Sequence, residues 1–159
     1  MKNMETMKIW QTTSDSQART EELAEELAGN LKGGEVIELV SDLGGGKTTF
    51  VRGLARGLAS INTVNSPTFK IYNVYRSPTL TINHFDLYRL SEPGLVKHEL
   101  AEAIDDALAV TVIEWAGAAN DVLPEERLTV ELEHASESQR KLKFAYPDSL
   151  TYLLKGIAT

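Results

Sequence analysis

The sequence predicts an α/β protein in which a central, mostly parallel sheet is flanked by helices and carries antiparallel strands at its edge. Short runs rich in β-branched residues alternate with longer stretches whose apolar residues recur at helical spacing. The mostly apolar run Val110–Ile113 suits a central parallel strand that is buried on both faces. The 159 residues contain no repeat, low-complexity tract or linker, so residues 1–159 are predicted to form a single domain.

In chain order, the elements follow from local signals. N-cap residue types at 13–15 open a helical pattern that Gly29 ends, and Ser77-Pro78 joins two strands. The predicted elements are a helix over about 15–29, a strand over 35–40, a helix over 48–59, strands over 69–76 and 79–86, a helix over about 95–108, a strand over 109–114, a hairpin of 127–133 with 140–146, and a short helix that starts at Pro147-Asp148.

Composition and charge exclude several classes of protein. A hydrophobic fraction of 42% and a charged fraction of 25% are ordinary for a globular domain. The chain has no cysteine, which excludes disulfides, Cys-ligated zinc, iron–sulfur clusters and a cysteine nucleophile. A net charge of −7 disfavours tight binding to nucleic acid without a partner. No segment approaches the ~20 apolar residues of a membrane span, and residues 1–10 carry no secretory signal, so we expect a cytoplasmic protein with no membrane role.

A glycine-rich segment between a predicted strand and a predicted helix carries the clearest chemical signal. Gly46, Lys47 and Thr48 satisfy the second half of the Walker A pattern, whereas Ser41 stands at its first glycine. Several backbone N–H groups surround one anion only with dihedral angles that glycine permits, and the start of a helix adds free N–H groups and a favourable dipole. The segment reads Ser41-Asp42-Leu43-Gly44-Gly45-Gly46-Lys47-Thr48-Thr49.

We therefore predict a P-loop NTPase-like fold in which this loop binds the phosphates of ATP or a close relative. Lys47 is expected to place its charge between the β- and γ-phosphates, and the Thr48 hydroxyl is expected to coordinate Mg²⁺. A flexible glycine-rich surface turn is the alternative, but the strand before the loop and the helix after it favour nucleotide binding.

Carboxylates at the ends of two predicted strands are candidates for the metal site. Asp86 ends one strand, and Glu114 follows Val110–Ile113 in the more regular Walker B shape. A P-loop protein needs such a group to hold Mg²⁺ or its waters, and a solvated strand end is the alternative for either residue. Asn65–Phe69 lies where P-loop switch segments lie, so a hydroxyl there could sense the γ-phosphate or Mg²⁺; taken alone, the stretch is an ordinary turn.

Three further side chains have both a functional and a structural interpretation. His84 shares a strand face with Asp86 and could orient a water, although a hydrogen-bonded core histidine is the favoured interpretation. Arg89 and Arg140 could each approach a γ-phosphate, but most such arginines lie on solvated faces.

Four motifs together resemble the bacterial TsaE family, the ATPases of tRNA threonylcarbamoyladenosine biosynthesis. The likeness runs from about residue 13 to about residue 145 in the family's order and approximate spacing, and its third motif is very specific. The motifs are Asp42-Leu43-Gly44-Gly45-Gly46-Lys47-Thr48-Thr49-Phe50, Ser66-Pro67-Thr68-Phe69, His84-Phe85-Asp86-Leu87-Tyr88-Arg89-Leu90 and Ile113-Glu114-Trp115.

The resemblance implies a small cytoplasmic ATPase that uses ATP and Mg²⁺. It also implies two partners, TsaB and TsaD, which transfer the threonylcarbamoyl group to adenosine 37 of certain tRNAs. The chain would bind that pair and hydrolyse ATP to let it turn over. It would meet tRNA only indirectly, through these partners, and would not perform the transfer.

Residue by residue, the resemblance implies a catalytic pair and a nucleotide-binding set. Glu114 would act at the metal, directly or through water, together with Thr48. Asp86 would be the second catalytic carboxylate, which positions the attacking water. Thr68 belongs to the switch-like segment, and the family's base pocket is nearest to Ser16 and Gln139. The implied nucleotide-binding residues are Ser16, Leu43, Gly44, Gly45, Gly46, Lys47, Thr48, Thr49, Thr68, Trp115 and Gln139.

Two departures from the family and two other functions remain open. The family usually has glycine at position 41 and alanine at position 45, so Ser41 affects the loop geometry and Gly45 loosens the empty loop. A P-loop kinase of small molecules would need an arginine-bearing lid, and no clear lid segment occurs. A nucleotide-gated assembly subunit would use ATP only to order Asn65–Phe69 and create a binding surface. A GTPase is disfavoured because the sequence lacks an Asn-Lys-x-Asp motif.

Overall fold

The computed structural model describes residues 7–42, 46–65, 72–88 and 96–158. Within these ranges the chain forms one seven-stranded sheet with helices on both faces. The strands are β1 (Lys8–Ser14), β2 (Val36–Val40), β3 (Tyr72–Arg76), β4 (Thr81–Asp86), β5 (Ala109–Glu114), β6 (Leu128–His134) and β7 (Arg140–Tyr146). The helices are α1 (Gln17–Ala28), α2 (Lys47–Gly57), α3 (Lys97–Ile104) and the 3₁₀ helices Ala116–Ala119 and Asp148–Leu154.

The sheet has the strand order β1-β7-β6-β2-β5-β4-β3. Its centre is parallel, because β2 pairs in parallel with β5 and β6, and β5 pairs in parallel with β4. The pairs β1–β7, β6–β7 and β3–β4 are antiparallel. Every residue of β5 is buried, as expected of a central strand covered on both faces. The predicted α/β class, with a mostly parallel centre and antiparallel strands at the edge, is confirmed.

Two hydrophobic clusters cover opposite faces of the sheet. Because side chains alternate along a strand, Ile37 and Leu39 of β2 pack into the cluster formed with α1 and α2, whereas Val36 packs into the cluster formed with α3. The C-terminal 3₁₀ helix Asp148–Leu154 adds three leucines to the first cluster. Because helices cover both faces of the sheet, a ligand site is expected at the ends of the strands.

The sequence patterns miss two of the described elements, the short 3₁₀ helix Ala116–Ala119 and the edge strand β1. Its inward residues Trp10 and Thr12 are only half-buried, and Ile9 on the other side is 55% exposed, so no clean apolar face marks the strand. Trp10 packs against Phe144 of β7, with ring centroids 5.4 Å apart. Pairing with β7 along its whole length, rather than local sequence, makes this segment extended.

The other elements lie close to their predicted bounds, with three differences. Ser16 lies outside α1 as its N-cap, because its hydroxyl accepts the Arg19 N–H at 3.0 Å. The helix α3 ends at Ile104, four residues before the predicted end, and the final helix is of the 3₁₀ type. Residues 69–71 and 95 of the predicted elements lie outside the described residues. Nowhere in the described ranges is a helix both long and apolar enough to cross a bilayer.

Candidate functional site

The candidate site lies where the carboxyl ends of β4 and β5 approach the start of α2. Asp86 and Glu114, the last residues of β4 and β5, are register partners on neighbouring strands. Together with the first turn of α2 they line a cavity of about 730 Å³, a volume within the range of small-molecule sites. Ligands of α/β sheets commonly bind outside the carboxyl ends of the strands, so the position fits a ligand site.

The first turn of α2 is built to receive an anion. Gly46 precedes the helix with a φ of 103°, a left-handed value that is strained for any residue with a side chain. Gly46, Lys47, Thr48 and Thr49 all line the cavity. The N–H groups at the start of the helix, together with the helix dipole, therefore favour negative charge in the cavity.

Lys47 brings a buried positive charge to the cavity. It is only 7% exposed, and its Nζ donates to the Ser41 carbonyl at 3.0 Å. Nζ also lies 4.4 Å from the centroid of the Trp115 ring. Among the described residues, no carboxylate forms an ion pair with this ammonium group, so its charge is available to an anion.

Glu114 is a buried carboxylate that is held by a buried histidine. It is 2% exposed, and His84 is 0% exposed. His84 Nε2 lies 2.5 Å from Glu114 Oε2, and His84 Nδ1 lies 3.0 Å from the hydroxyl oxygen of Tyr75. His84 is thus the hydrogen-bonded core histidine that the sequence favoured, and it is also in direct contact with a candidate site residue.

Asp86 is less buried than Glu114 and faces the same cavity. Its Oδ1 accepts the Tyr88 N–H at 3.1 Å. Burial raises the pKa of Asp86 above its ordinary value, because the loss of hydration outweighs the Tyr88 hydrogen bond that lowers it, and the neighbouring Glu114 raises it further. A carboxylate with a raised pKa is a better proton acceptor, so Asp86 is suited to act on a water.

Trp115 follows Glu114 in a strained backbone conformation. Its φ of 58° and ψ of 49° are left-handed values that a residue with a large side chain rarely adopts. The indole ring lies against Tyr88, with centroids 4.8 Å apart, in addition to its contact with Lys47. Strain of this kind is concentrated at functional sites, where the surrounding contacts hold it in place.

The far wall of the cavity comes from two segments that are distant in the sequence. One is Asp15–Ala18 with Thr20, at the start of α1, and the other is Glu137 and Ser138 of the β6–β7 turn with Arg140, the first residue of β7. The Arg140 guanidinium Nη1 donates to three backbone carbonyls of its own hairpin. The cation is therefore part of the hairpin turn as well as of the cavity wall.

The two residues that the resemblance suggests for a base pocket are placed differently. Ser16 lines the cavity, although its hydroxyl already caps α1 through Arg19. Gln139 is exposed and is not a wall residue, whereas its neighbours Ser138 and Arg140 are. Most of this wall was missed from sequence, because its residues are small or polar and belong to turns with no ligand signature.

The remaining predicted site residues fall into two groups. Thr48, Thr49 and Trp115 line the cavity together with Lys47 and the two carboxylates. The others lie outside the described residues, so the structure does not place them: Leu43, Gly44, Gly45, Thr68 and Arg89.

Comparison with known proteins agrees with the four motifs. Residues 14–142 match the family described as "Threonylcarbamoyl adenosine biosynthesis protein TsaE". The chain belongs to the TsaE family. It is 34% identical over 139 residues to the tRNA threonylcarbamoyladenosine biosynthesis protein TsaE of Bacillus subtilis, an alignment that covers 85% of this chain and 83% of the relative.

Other relatives are similar over most of their length. The protein of the same name from Aquifex aeolicus is 37% identical over 136 residues, covering 81% of this chain and 90% of the relative. The crystal structure of Bacillus subtilis YdiB has a TM-score of 0.69 and 28% identity to this TsaE-family chain, and the match covers 98% of this chain and 95% of the other. The family recognised from the sequence is thereby confirmed.

Proposed function

We propose that this TsaE-family protein is a Mg²⁺-dependent ATPase that supports threonylcarbamoylation of adenosine 37 in tRNA. In this proposal it binds the TsaB–TsaD pair and does not itself transfer the group. The family match and the names of the relatives support a role in tRNA threonylcarbamoyladenosine biosynthesis. The observation that carries the ATPase activity is that Lys47, the first turn of α2, Asp86 and Glu114 line one cavity.

The phosphates of ATP are proposed to bind at the start of α2. The helix terminus and the buried Lys47 ammonium both favour negative charge, and they meet in a cavity of about 730 Å³. The Lys47 ammonium is held by a neutral carbonyl and an aromatic ring. It therefore keeps its charge for a phosphate, since neither contact neutralises it.

The residues present fit a Mg²⁺ ion that is completed by nucleotide oxygens. Within the described ranges there is no group of three or more His, Cys, Asp and Glu side chains that could hold a metal by itself. Mg²⁺ at phosphoryl-transfer sites commonly takes one or two protein oxygens and completes its shell from phosphates and water. We propose Thr48 and Glu114 as the protein ligands, with Glu114 acting directly or through water. When bound, the ion neutralises charge on the phosphates.

Hydrolysis needs a group that orients the attacking water, and we propose Asp86 for this role. Asp86 faces the cavity from the strand next to Glu114. Its raised pKa favours acceptance of a proton from that water. The two carboxylates thus have separate tasks, since Glu114 is fixed by His84 and Asp86 is bonded only to the Tyr88 N–H among the contacts described.

Nucleotide binding is tested by calorimetry with ATP and Mg²⁺ on the wild type and Lys47→Met. We expect the variant to bind ATP about 10–100-fold more weakly, because a charge-assisted hydrogen bond is worth about 1.5–3 kcal/mol. Lys155→Met is the matched control, because Lys155 follows the C-terminal 3₁₀ helix and contacts Asn30 at the far end of α1 from the cavity. A wild type that binds no ATP, or a Lys47→Met that binds as well as wild type, would contradict the proposal.

Hydrolysis is tested with Glu114→Gln in the presence of the TsaB–TsaD pair. We expect ATP to bind but its hydrolysis to fall at least about 100-fold. Glu126→Gln removes an exposed carboxylate just before β6, at the amino ends of the parallel strands and so away from the carboxyl ends that carry the cavity, and should behave as wild type. If tRNA modification survives in Glu114→Gln while hydrolysis is lost, nucleotide-gated assembly rather than turnover is the role.

A further inference from the structure

A chain of hydrogen bonds runs through the protein interior from Glu114 to the backbone of Asn65. His84 contacts Glu114 Oε2 through Nε2 at 2.5 Å and the Tyr75 hydroxyl through Nδ1 at 3.0 Å. The Tyr75 hydroxyl in turn donates to the Asn65 carbonyl at 2.7 Å. The chain crosses three adjacent strands, because Tyr75, His84 and Glu114 lie on β3, β4 and β5.

Two contacts fix the histidine ring. An ionised carboxylate only accepts hydrogen bonds, so His84 Nε2 is the donor to Glu114 Oε2, and Nδ1 on the other side of the ring is held at hydrogen-bond distance from the Tyr75 hydroxyl oxygen. The ring then presents Nε2 to Glu114 and cannot turn over without breaking the Tyr75 contact. The Asn65 carbonyl is held in place by a second donor, Asn73 Nδ2, at 2.8 Å.

A polar chain in this position is costly unless each member is bonded. His84 is 0% exposed, Tyr75 is 2% exposed and Glu114 is 2% exposed. An apolar side chain would fill the same volume without a desolvation penalty. Ile82, two residues before His84 on the same face of β4, is apolar and fully buried, as is the following residue Phe85. The polar choice at position 84 therefore points to the orientation of Glu114 rather than to packing alone.

We propose that His84 and Tyr75 are positioning residues that fix the Glu114 carboxylate for Mg²⁺. Oε2 is turned towards His84, so that Oε1 is the oxygen available to the cavity that Glu114 lines. Mg²⁺ tolerates little departure from octahedral geometry, and partners that orient a ligating carboxylate typically change metal affinity or activity 10–100-fold. The inference rests on the proposed function, because it assigns the geometry of the Glu114 site.

The test compares two variants that each lose a single hydroxyl oxygen. Tyr75→Phe cuts the chain between His84 and Asn65. Tyr152→Phe is the control, because its hydroxyl also makes a 2.7 Å bond, in this case to the buried Glu35, away from the cavity. For each protein, the ATP affinity is measured by calorimetry with saturating Mg²⁺ and again in EDTA, and the ratio of the two affinities gives the enhancement by the metal.

We expect Tyr75→Phe to lower the enhancement about 10-fold and to leave the affinity in EDTA unchanged, because Tyr75 is not among the described residues that line the cavity with Lys47 and the first turn of α2. Tyr152→Phe should change neither affinity. If Tyr75→Phe keeps the wild-type enhancement and loses only thermal stability, as the control does, the chain is structural and the proposal is overturned. If the wild type itself shows no enhancement, the proposed Mg²⁺ dependence fails, and the inference fails with it.

A second pair of variants tests the histidine directly and does not depend on how well Tyr75→Phe folds. His84→Gln keeps an N–H donor at about the length of the imidazole, whereas His84→Leu fills the space with no donor. We expect His84→Gln to retain more of the enhancement by Mg²⁺ than His84→Leu. Equal enhancement in the two variants would overturn the positioning role.

Discussion

Replacing Gly53 by alanine is expected to destabilise the protein, because α1 and α2 pack too closely to admit one more carbon atom. A Cβ at position 53 would lie 2.4 Å from the Glu21 carbonyl oxygen and 2.7 Å from Ala24 Cβ. Non-bonded heavy atoms are usually about 3.5–4.0 Å apart. The two helices must therefore separate by roughly 1 Å, and the obstructing carbonyl belongs to the backbone, so it cannot rotate away.

The magnitude follows from two opposing effects. Overpacking of this kind costs about 1–3 kcal/mol. Alanine in place of glycine within a helix returns about 1 kcal/mol. We expect a net loss of about 1–2 kcal/mol, since the contact with Glu21 is at the severe end, and a decrease in Tm of about 2–8 °C for a chain of this size.

Thermal unfolding, monitored by circular dichroism, measures this loss of stability. Gly117→Ala is the matched control, because a Cβ there would meet no atom within 4 Å and the residue is not in a left-handed conformation. The control should have the same Tm as the wild type or a higher one, because alanine at a compatible position raises the free energy of unfolding by up to about 1 kcal/mol. A Gly53→Ala protein that melts at or above the wild-type temperature would refute the close packing of the two helices.

Two further predictions concern buried or half-buried acidic groups. The pKa of Asp86 is raised in the folded protein, so its ionised form costs stability at neutral pH, and that cost disappears as the pH falls through the folded-state pKa. Asp86→Asn keeps an oxygen for the Tyr88 N–H. The variant should have a higher Tm than the wild type at pH 7 and the same Tm below about pH 4, and it should hydrolyse ATP more slowly. A lower Tm than the wild type at pH 7 would contradict this. Tyr152→Phe removes the hydroxyl that Glu35 Oε2 accepts at 2.7 Å. It should cost about 1.5–3 kcal/mol and lower the Tm measured by calorimetry by about 3–12 °C, whereas an unchanged Tm would show that Glu35 does not need this donor.

The start of α2 and the two carboxylates were predictable because their chemistry is local. Gly46-Lys47-Thr48 is a contiguous signal, and Asp86 and Glu114 each end a recognisable strand. Neighbouring parallel strands have their carboxyl ends on the same side of the sheet, so an α/β pattern alone places these two carboxylates near one another. Geometry was needed only to show that they share a cavity.

The hydrogen-bond chain behind Glu114 and the rest of the cavity wall were not predictable, because their residues have no local signature. The contact of Tyr75 with His84 depends on the antiparallel pairing of β3 and β4, and the Asn65 carbonyl is a backbone atom that no side-chain pattern reveals. Gln139 was assigned from a loose resemblance in a hairpin turn, and a shift of one residue there moves a side chain to the other face. The cavity wall is formed by its neighbours instead.

The pairing of β1 with β7 determines when the sheet can be completed during synthesis of the chain. A ribosome adds residues from the N-terminus, at about 5–20 per second, and β1 finds its partner only after β7 has emerged. The cavity likewise needs both the start of α1 and the β6–β7 turn. A nascent chain therefore lacks the complete cavity until most of it has been translated, and truncated products are expected to fail to bind the ATP proposed for this cavity.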